Sequence, residues 1–200
     1  MSAAGPEAQD TQDAQDMARL ATGHDAALNE LMERHGERLF HYLIRCLQDE
    51  GEAADLAQET FVRVYQHRAK FDPGQKFSVW LYTIASNLVR DRYRWRARHP
   101  QVSLEAESPE TGTELGARLV NPGGTPSESL ETAERVTAIQ AAVAALPEEL
   151  RAPLLLAEFE DKPQAEIAQI LSCSVKAVET RIYRARQQLR TTLGNLLKGA

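Results

Sequence analysis

The 200-residue sequence predicts an all-α fold of two small helical domains joined by a flexible acidic linker, the C-terminal domain containing a helix-turn-helix. Three observations predict it. Apolar residues recur at steps of three and four along most of the chain, and no useful stretch alternates with a period of two. A segment rich in Glu, Pro and Gly separates two such blocks. Near the C-terminus, the polar break Ser172-Cys173-Ser174 divides two amphipathic segments.

The N-terminal block begins after an acidic, polar stretch, residues 1–16, which predicts a disordered tail. Within 17–100 the helical period indicates one or two helices through Ala27–Leu47 and another over Asp55–Arg68. Asp72-Pro-Gly is a strong turn signal. A further helix follows, with Trp80 on its apolar face, and runs into the basic stretch Arg90–Arg98.

The second block is set off by residues 101–126, which have too few apolar side chains to bury and therefore predict a flexible linker. Residues 127–200 predict three or four helices, ending in the helix-turn-helix of Pro163–Arg190. Ser174 suits the N-cap of a helix that starts at Val175. The apolar face of that helix carries Val175, Val178, Ile182, Ala185 and Leu189.

The opposite face of the same helix is polar and basic. Lys176, Thr180, Arg184 and Gln187 lie there, flanked by Arg181 and Tyr183. A helix held down by aliphatic residues and presenting such side chains is typical of one that enters a DNA major groove. The alternative is an exposed basic face that contacts only solvent.

Composition narrows the functional class. A hydrophobic content of 42% suffices for cores, but no apolar run approaches the roughly 18 residues that span a membrane. The acidic N-terminus is unlike a signal peptide, and the two cysteines, Cys46 and Cys173, are too few for a disulfide framework, so we expect a reduced, cytoplasmic protein. We expect no cofactor and no metal site, and find no residue pattern that favours an enzyme.

The net charge of -6 conceals a basic segment, because residues 61–100 hold nine Lys and Arg against two Asp and Glu. Five arginines occur between Arg90 and Arg98, interleaved with Tyr93 and Trp95. Complementing a helix dipole needs one or two charges, whereas Arg with aromatic residues suits phosphates and unpaired bases. The loop before this helix pairs cations with aromatics again. The sequence therefore predicts two DNA-facing surfaces, one for duplex and one for exposed bases.

These residues resemble an extracytoplasmic function (ECF) sigma factor of the sigma-70 family. Asp55-Leu-Ala-Gln-Glu-Thr-Phe-Val-Arg-Val-Tyr65, followed by Phe77, Trp80, Ile84, Asn87, Asp91 and Arg94, resembles region 2. Leu146-Pro-Glu-Glu-Leu-Arg151, Glu166-Ile-Ala and the Val178–Leu189 pattern resemble region 4. Both regions stand in the family's order, which makes the combined match highly specific.

The resemblance implies roles for the matching positions. Binding to the β′ clamp of core RNA polymerase would fall to Asp55, Gln58, Glu59 and Phe61. Capture and melting of the minus-10 element would fall to Phe71, Lys76, Phe77, Trp80, Asn87, Arg90 and Arg94. Region 4 would sit on the β flap, and the minus-35 duplex would be read by Lys176, Thr180, Arg181, Tyr183, Arg184 and Gln187. The partners implied are core polymerase, promoter DNA and an anti-sigma factor, with no membrane insertion of the chain itself.

One alternative from another functional class is a conventional helix-turn-helix transcription regulator. It would bind duplex DNA stably without polymerase and carry a ligand or dimerisation domain. The polymerase-binding pattern of the N-terminal block favours the sigma factor.

Overall fold

The computed structural model describes residues 6–99 and 126–196, and all regular secondary structure within them is helical. The N-terminal block contains α1 (Pro6–Ala21), α2 (Ala26–Leu47), α3 (Glu50–His67), a 3-10 turn (Arg68–Lys70) and α4 (Phe77–Arg98). The C-terminal block contains α5 (Pro126–Ala144), α6 (Glu148–Glu158), α7 (Gln164–Ile170) and α8 (Val175–Leu196). The all-α prediction is confirmed for these residues. The predicted linker lies outside them, except for residue 126.

Helix α2 is the central support of the N-terminal block and packs against α1, α3 and α4. Its inward positions follow the predicted three-four spacing, from Ala27 and Leu31 to Leu39 and Leu43. It ends at Leu47, and the next residue, Gln48, adopts a positive φ of 56° and donates its backbone N–H to the Ile44 carbonyl. The segment for which one or two helices were expected is therefore a single long helix.

The connections around α3 and α4 are built from short side-chain caps. The Asp49 carboxylate accepts a hydrogen bond from the Glu52 backbone N–H at 2.8 Å, which starts α3. Asp72 accepts from the Gly74 N–H at 2.8 Å, and this closes the predicted Asp-Pro-Gly turn before α4.

The predicted disordered tail is wrong for residues 6–16, because α1 begins at Pro6 and packs on α2 and α4. Asp13 and Asp16 are 1% and 0% exposed. Arg34 of α2 contacts both carboxylates, at 2.9 Å and 2.5 Å, and His35 lies 2.7 Å from Asp13. The acidic composition suggested that these residues are solvated, but Arg34 of α2 pairs with both carboxylates and allows their burial.

The C-terminal block is built around α6, which contributes seven consecutive buried residues from Leu150 to Leu156. It packs on α8, and the short α7 packs on both α6 and α8. The two blocks also touch each other, since α2 contacts α5 and α6 while α4 contacts α7. No sequence pattern predicted this contact.

Candidate polymerase and nucleic-acid interfaces

Helix α8 has the predicted amphipathic build. The Ser174 hydroxyl accepts a hydrogen bond from the Ala177 N–H at 3.1 Å, so the predicted N-cap is confirmed. Val178, Ile182 and Ala185 are buried, as predicted. Val175, expected on the same face, is instead 42% exposed because it lies in the first turn, at the edge of the domain.

The outward face of α8 carries the predicted groove-reading side chains. Arg181 is half-buried, and the other five are exposed: Lys176, Thr180, Tyr183, Arg184 and Gln187. Glu179 lies 3.3 Å from Lys176 and so joins this face as its ion-pair partner. The surface can therefore offer cationic, amide and hydroxyl groups to phosphates and base edges.

The candidate minus-10 surface centres on an aromatic cluster of Phe71, Phe77 and Trp80. The ring of Phe71 lies 5.2 Å from that of Trp80 and 6.2 Å from that of Phe77. Phe71 and Trp80 are half-buried, whereas Phe77 is 1% exposed. Phe77 therefore supports the other two rings from beneath, and its predicted contact with DNA does not fit this structure because its side chain is almost completely buried.

Lys76, next to this cluster, forms two ion pairs. Its ammonium lies 3.2 Å from Asp10 of α1 and 3.0 Å from Glu166 of α7. These two carboxylates raise the pKa of Lys76 through hydrogen bonds, Glu166 having the larger effect. The cation is therefore occupied by protein carboxylates in this conformation.

The basic end of α4 divides into paired and outward side chains. Arg92 and Arg96 reach Glu52 of α3 at 3.4 Å and 2.6 Å. Asn87, Arg94 and Arg98 are exposed, although Arg94 also pairs with Asp91 on the same helix. Arg90 is half-buried and donates to the Asn87 amide oxygen at 3.2 Å. The outward groups form the cationic surface that single-stranded DNA requires.

The two aromatic residues of this stretch behave differently. Trp95 is 40% exposed and stacks on His99 with 4.8 Å between ring centroids. Tyr93 turns inward, and its hydroxyl donates to the Cys46 carbonyl oxygen. Of the two, only Trp95 is positioned to stack on a base in this conformation.

The candidate polymerase-docking surface lies on α3. Asp55 and Gln58 are exposed, and Glu59 is half-buried and bonded to Arg63 at 2.8 Å. Phe61 is 5% exposed and belongs to the domain core, so the structure does not support it as a docking residue.

Val62, missed by sequence reasoning, is 40% exposed on α3. It lies three residues after Glu59 and seven after Asp55, which places it on the same helix face. This spacing could have identified Val62 from the sequence.

Other kinds of site find no support in the part of the chain that the structure describes. It contains no group of three or more His, Cys, Asp or Glu side chains that could hold a metal ion. No helix there is both long and apolar enough to cross a bilayer. Burial raises the pKa of the Cys46 thiol to about 12, which makes this cysteine a poor nucleophile and a poor redox sensor.

Comparison with known proteins decides the family. Residues 31–99 match the model for sigma-70 region 2, and residues 137–189 match the model for sigma-70 region 4. Over 179 residues the chain is 34% identical to the ECF RNA polymerase sigma factor SigW of Bacillus subtilis, covering 89% of this chain and 95% of that protein. The chain is an ECF sigma factor.

Further relatives agree with this assignment. The sigma factor is 31% identical to the RNA polymerase sigma-H factor of Pseudomonas aeruginosa, over 94% of this chain and 97% of that protein. Among solved structures it is similar to CnrH, determined in complex with the cytosolic domain of CnrY, with a TM-score of 0.66 and 29% identity. That match covers 92% of this chain and 98% of CnrH.

Proposed function

We propose that this sigma factor binds core RNA polymerase through the exposed face of α3 and directs it to promoters with two separate DNA-contacting surfaces. The observation that carries the proposal is the position of these surfaces. One lies on α4 within the region 2 match, and the other lies on α8 within the region 4 match. The polymerase catalyses RNA synthesis, and this chain determines where on the DNA it begins.

Helix α8 is the proposed reader of the minus-35 duplex. Its buried Val178, Ile182 and Ala185 fix the helix on the domain, so that the opposite face can enter a major groove without rearrangement. Arginine can bond guanine through two parallel hydrogen bonds, which makes Arg181 and Arg184 the strongest candidates for base reading.

The surface around Trp80 is the proposed melting surface. Unstacking a base costs a few kcal/mol, and stacking on an aromatic ring offsets about 1–3 kcal/mol of it. Trp80 and Phe71 supply the rings, Asn87 supplies an amide, and the arginines at the end of α4 supply phosphate contacts. Bound to polymerase, this surface would hold the unpaired strand.

We also propose two protein partners. Asp55, Gln58, Glu59 and the exposed Val62 give α3 an acidic face with an apolar centre, which suits a basic partner surface such as the β′ clamp. An anti-sigma factor is proposed because CnrH, similar to this chain, was solved in complex with CnrY. The site of action would be the cytoplasm, where the polymerase acts.

The experiment for the minus-35 role compares variants of α8 in transcription with core polymerase, on a promoter identified with the wild-type holoenzyme. Replacing Arg181 and Arg184 together by Ala should lower promoter affinity by about 1–3 kcal/mol per lost base contact. Arg186→Ala is the matched control, because this arginine lies on the same helix α8 but is bonded to Glu158 of α6 at 2.5 Å. Equal losses in the control and the double variant would reject the assignment.

A further inference from the structure

Glu179 is the only acidic residue of α8, and it lies on the side of the helix that faces DNA in the proposed function. It follows Lys176 by three residues and precedes Tyr183 by four, so the three share a helix face. Its carboxylate is 3.3 Å from the Lys176 ammonium, and the two side chains are 45% and 85% exposed. A carboxylate is repelled by DNA phosphates, so its presence on this face calls for a physical reason.

Helix stability does not account for this ion pair. The positive end of the helix dipole lies at the N-terminus, so a cation in the first turn, such as Lys176, is unfavourable there. Ion pairs along a helix are also stronger when the carboxylate precedes the lysine, and here the order is reversed. Exposed pairs contribute little to stability in any case. A ligand explains the pair better than the fold does.

The pair lies in the part of the helix that reaches base edges. In a helix-turn-helix, the N-terminal residues of the second helix contact bases in the major groove. The Ser174 cap fixes the start of α8 at Val175, so Lys176 and Glu179 are its second and fifth residues. This position favours contact with base edges over contact with phosphates.

The two charged groups match the edge of one base pair. In a G·C pair the guanine O6 accepts and the cytosine N4 amino group donates, and these two atoms are bonded to each other at about 2.9 Å. The Lys176 ammonium and the Glu179 carboxylate have nearly the same separation and the opposite polarity. The ammonium can therefore donate to O6 while the carboxylate accepts the second N4 proton.

This arrangement distinguishes the two orientations of the pair. If guanine and cytosine are exchanged, the ammonium faces an amino group and the carboxylate faces O6, so both contacts become repulsive. A T·A pair presents O4 and an amino group in the favourable order, but thymine carries a methyl group where guanine has its N7 acceptor. The expected order of preference is G·C, then T·A, with C·G and A·T rejected.

We propose that Lys176 and Glu179 form a specificity-determining couple that reads one G·C pair of the minus-35 element in a single orientation, with Lys176 on guanine and Glu179 on cytosine. The inference rests on the proposed function, because it requires α8 to enter the minus-35 duplex. It gives Glu179 a role on the reading face that does not involve phosphate.

The test measures base preference with the holoenzyme formed from the full chain and core polymerase. A promoter that the wild-type holoenzyme transcribes is prepared with every base pair at each position of its minus-35 element, and the transcripts are counted. At one position the wild type should prefer one orientation of the G·C pair over the other by about tenfold or more, the discrimination expected of a good base contact.

Exchanging the two charges, as Lys176→Glu with Glu179→Lys, should reverse the preference at that position and at no other. The exchange moves the carboxylate toward the N-terminus, so it should not weaken the helix. Glu179→Gln should abolish most of the preference, because an amide can donate or accept, and it serves if the exchanged variant fails to fold. Glu158→Ala is the matched control, since this exposed carboxylate of α6 pairs with Arg186, and it should keep the wild-type preference.

An unchanged preference in the exchanged variant would overturn the inference, as would a wild type without any position that discriminates the two orientations of G·C. An equal loss of transcription at every base pair in Glu179→Gln would also overturn it, because the residue would then have only a structural role. Failure of the proposed function would look different. The wild-type holoenzyme would then transcribe every member of the library equally, or none of them, and both proposals would fall.

Discussion

Asp16 and Glu160 are both almost fully buried carboxyls, yet their surroundings shift their pKa values in opposite directions. Burial alone would raise the pKa of Asp16, but hydrogen bonds from Arg34 and Gln12 outweigh it and hold the value below the ordinary 3.8. For Glu160 burial dominates over Tyr82 and the α2 arginines, and its pKa lies above 4.5. The first carboxylate stabilises the fold, and the second belongs to a contact between blocks.

Asp16→Asn should destabilise the protein by about 2 kcal/mol at pH 7, since it leaves the partly buried Arg34 without one of its two carboxylates. Because the folded-state pKa of Asp16 is lowered, its contribution is present above pH 3.8 and is lost as the pH falls through the lower folded value. Urea unfolding measures the loss. Asp10→Asn, a change in a partly exposed ion pair with Lys76, is the control and should cost little. An equal loss of unfolding free energy in the two variants would contradict the conclusion that the buried Asp16 anchors α1.

Trp80→Ala should slow open-complex formation about tenfold or more, because it removes a stacking ring worth about 1–3 kcal/mol. Binding to core polymerase should not change. A template with the minus-10 element already unpaired should recover much of the loss, whereas simple unfolding would not be rescued. Unaltered opening kinetics of the variant would show that the melting surface lies elsewhere.

At the scale of the element, the sequence predicted features that depend on neighbouring residues better than features that depend on tertiary packing. The Ser174 cap, the Asp72 turn and the burial of Val178, Ile182 and Ala185 on α8 depend on near neighbours in the chain, so the sequence alone predicts them correctly. Helix α1 was missed because its burial depends on Arg34 and His35, about twenty residues away. Phe61 and Phe77 match the motif, but both side chains are buried and cannot contact a partner at the surface. A sequence motif does not show whether a side chain is exposed.

Asp55→Lys tests α3 as a docking element. The exposed carboxylate is proposed to face a basic partner, so reversing its charge should weaken binding to core polymerase about tenfold or more. Glu30→Lys makes the same charge change at an exposed position on α2 and should bind normally. Competition with a labelled housekeeping sigma factor gives the affinities. Matched losses in both variants would indicate a general charge effect and contradict the assignment.

At the scale of the molecule, the sequence correctly predicts two helical blocks but not their contact. The contact between the blocks joins residues up to 105 positions apart, such as Arg151 and the Cys46 carbonyl, and hydrophobic periodicity carries no information on such pairs. The Arg151 position was identified only as part of a motif. Its bonds to Leu146 within the block and to Cys46 across the interface give it two structural roles.

The central claim, that this chain is a polymerase subunit that selects promoters, is tested most directly by co-elution with core RNA polymerase followed by transcription in vitro. The account predicts near-stoichiometric binding that a housekeeping sigma factor displaces, and transcripts that start at defined promoters only when the chain is present. Stable binding to duplex DNA by the free chain, with no binding to core polymerase and no transcripts, would contradict it and indicate a conventional helix-turn-helix regulator.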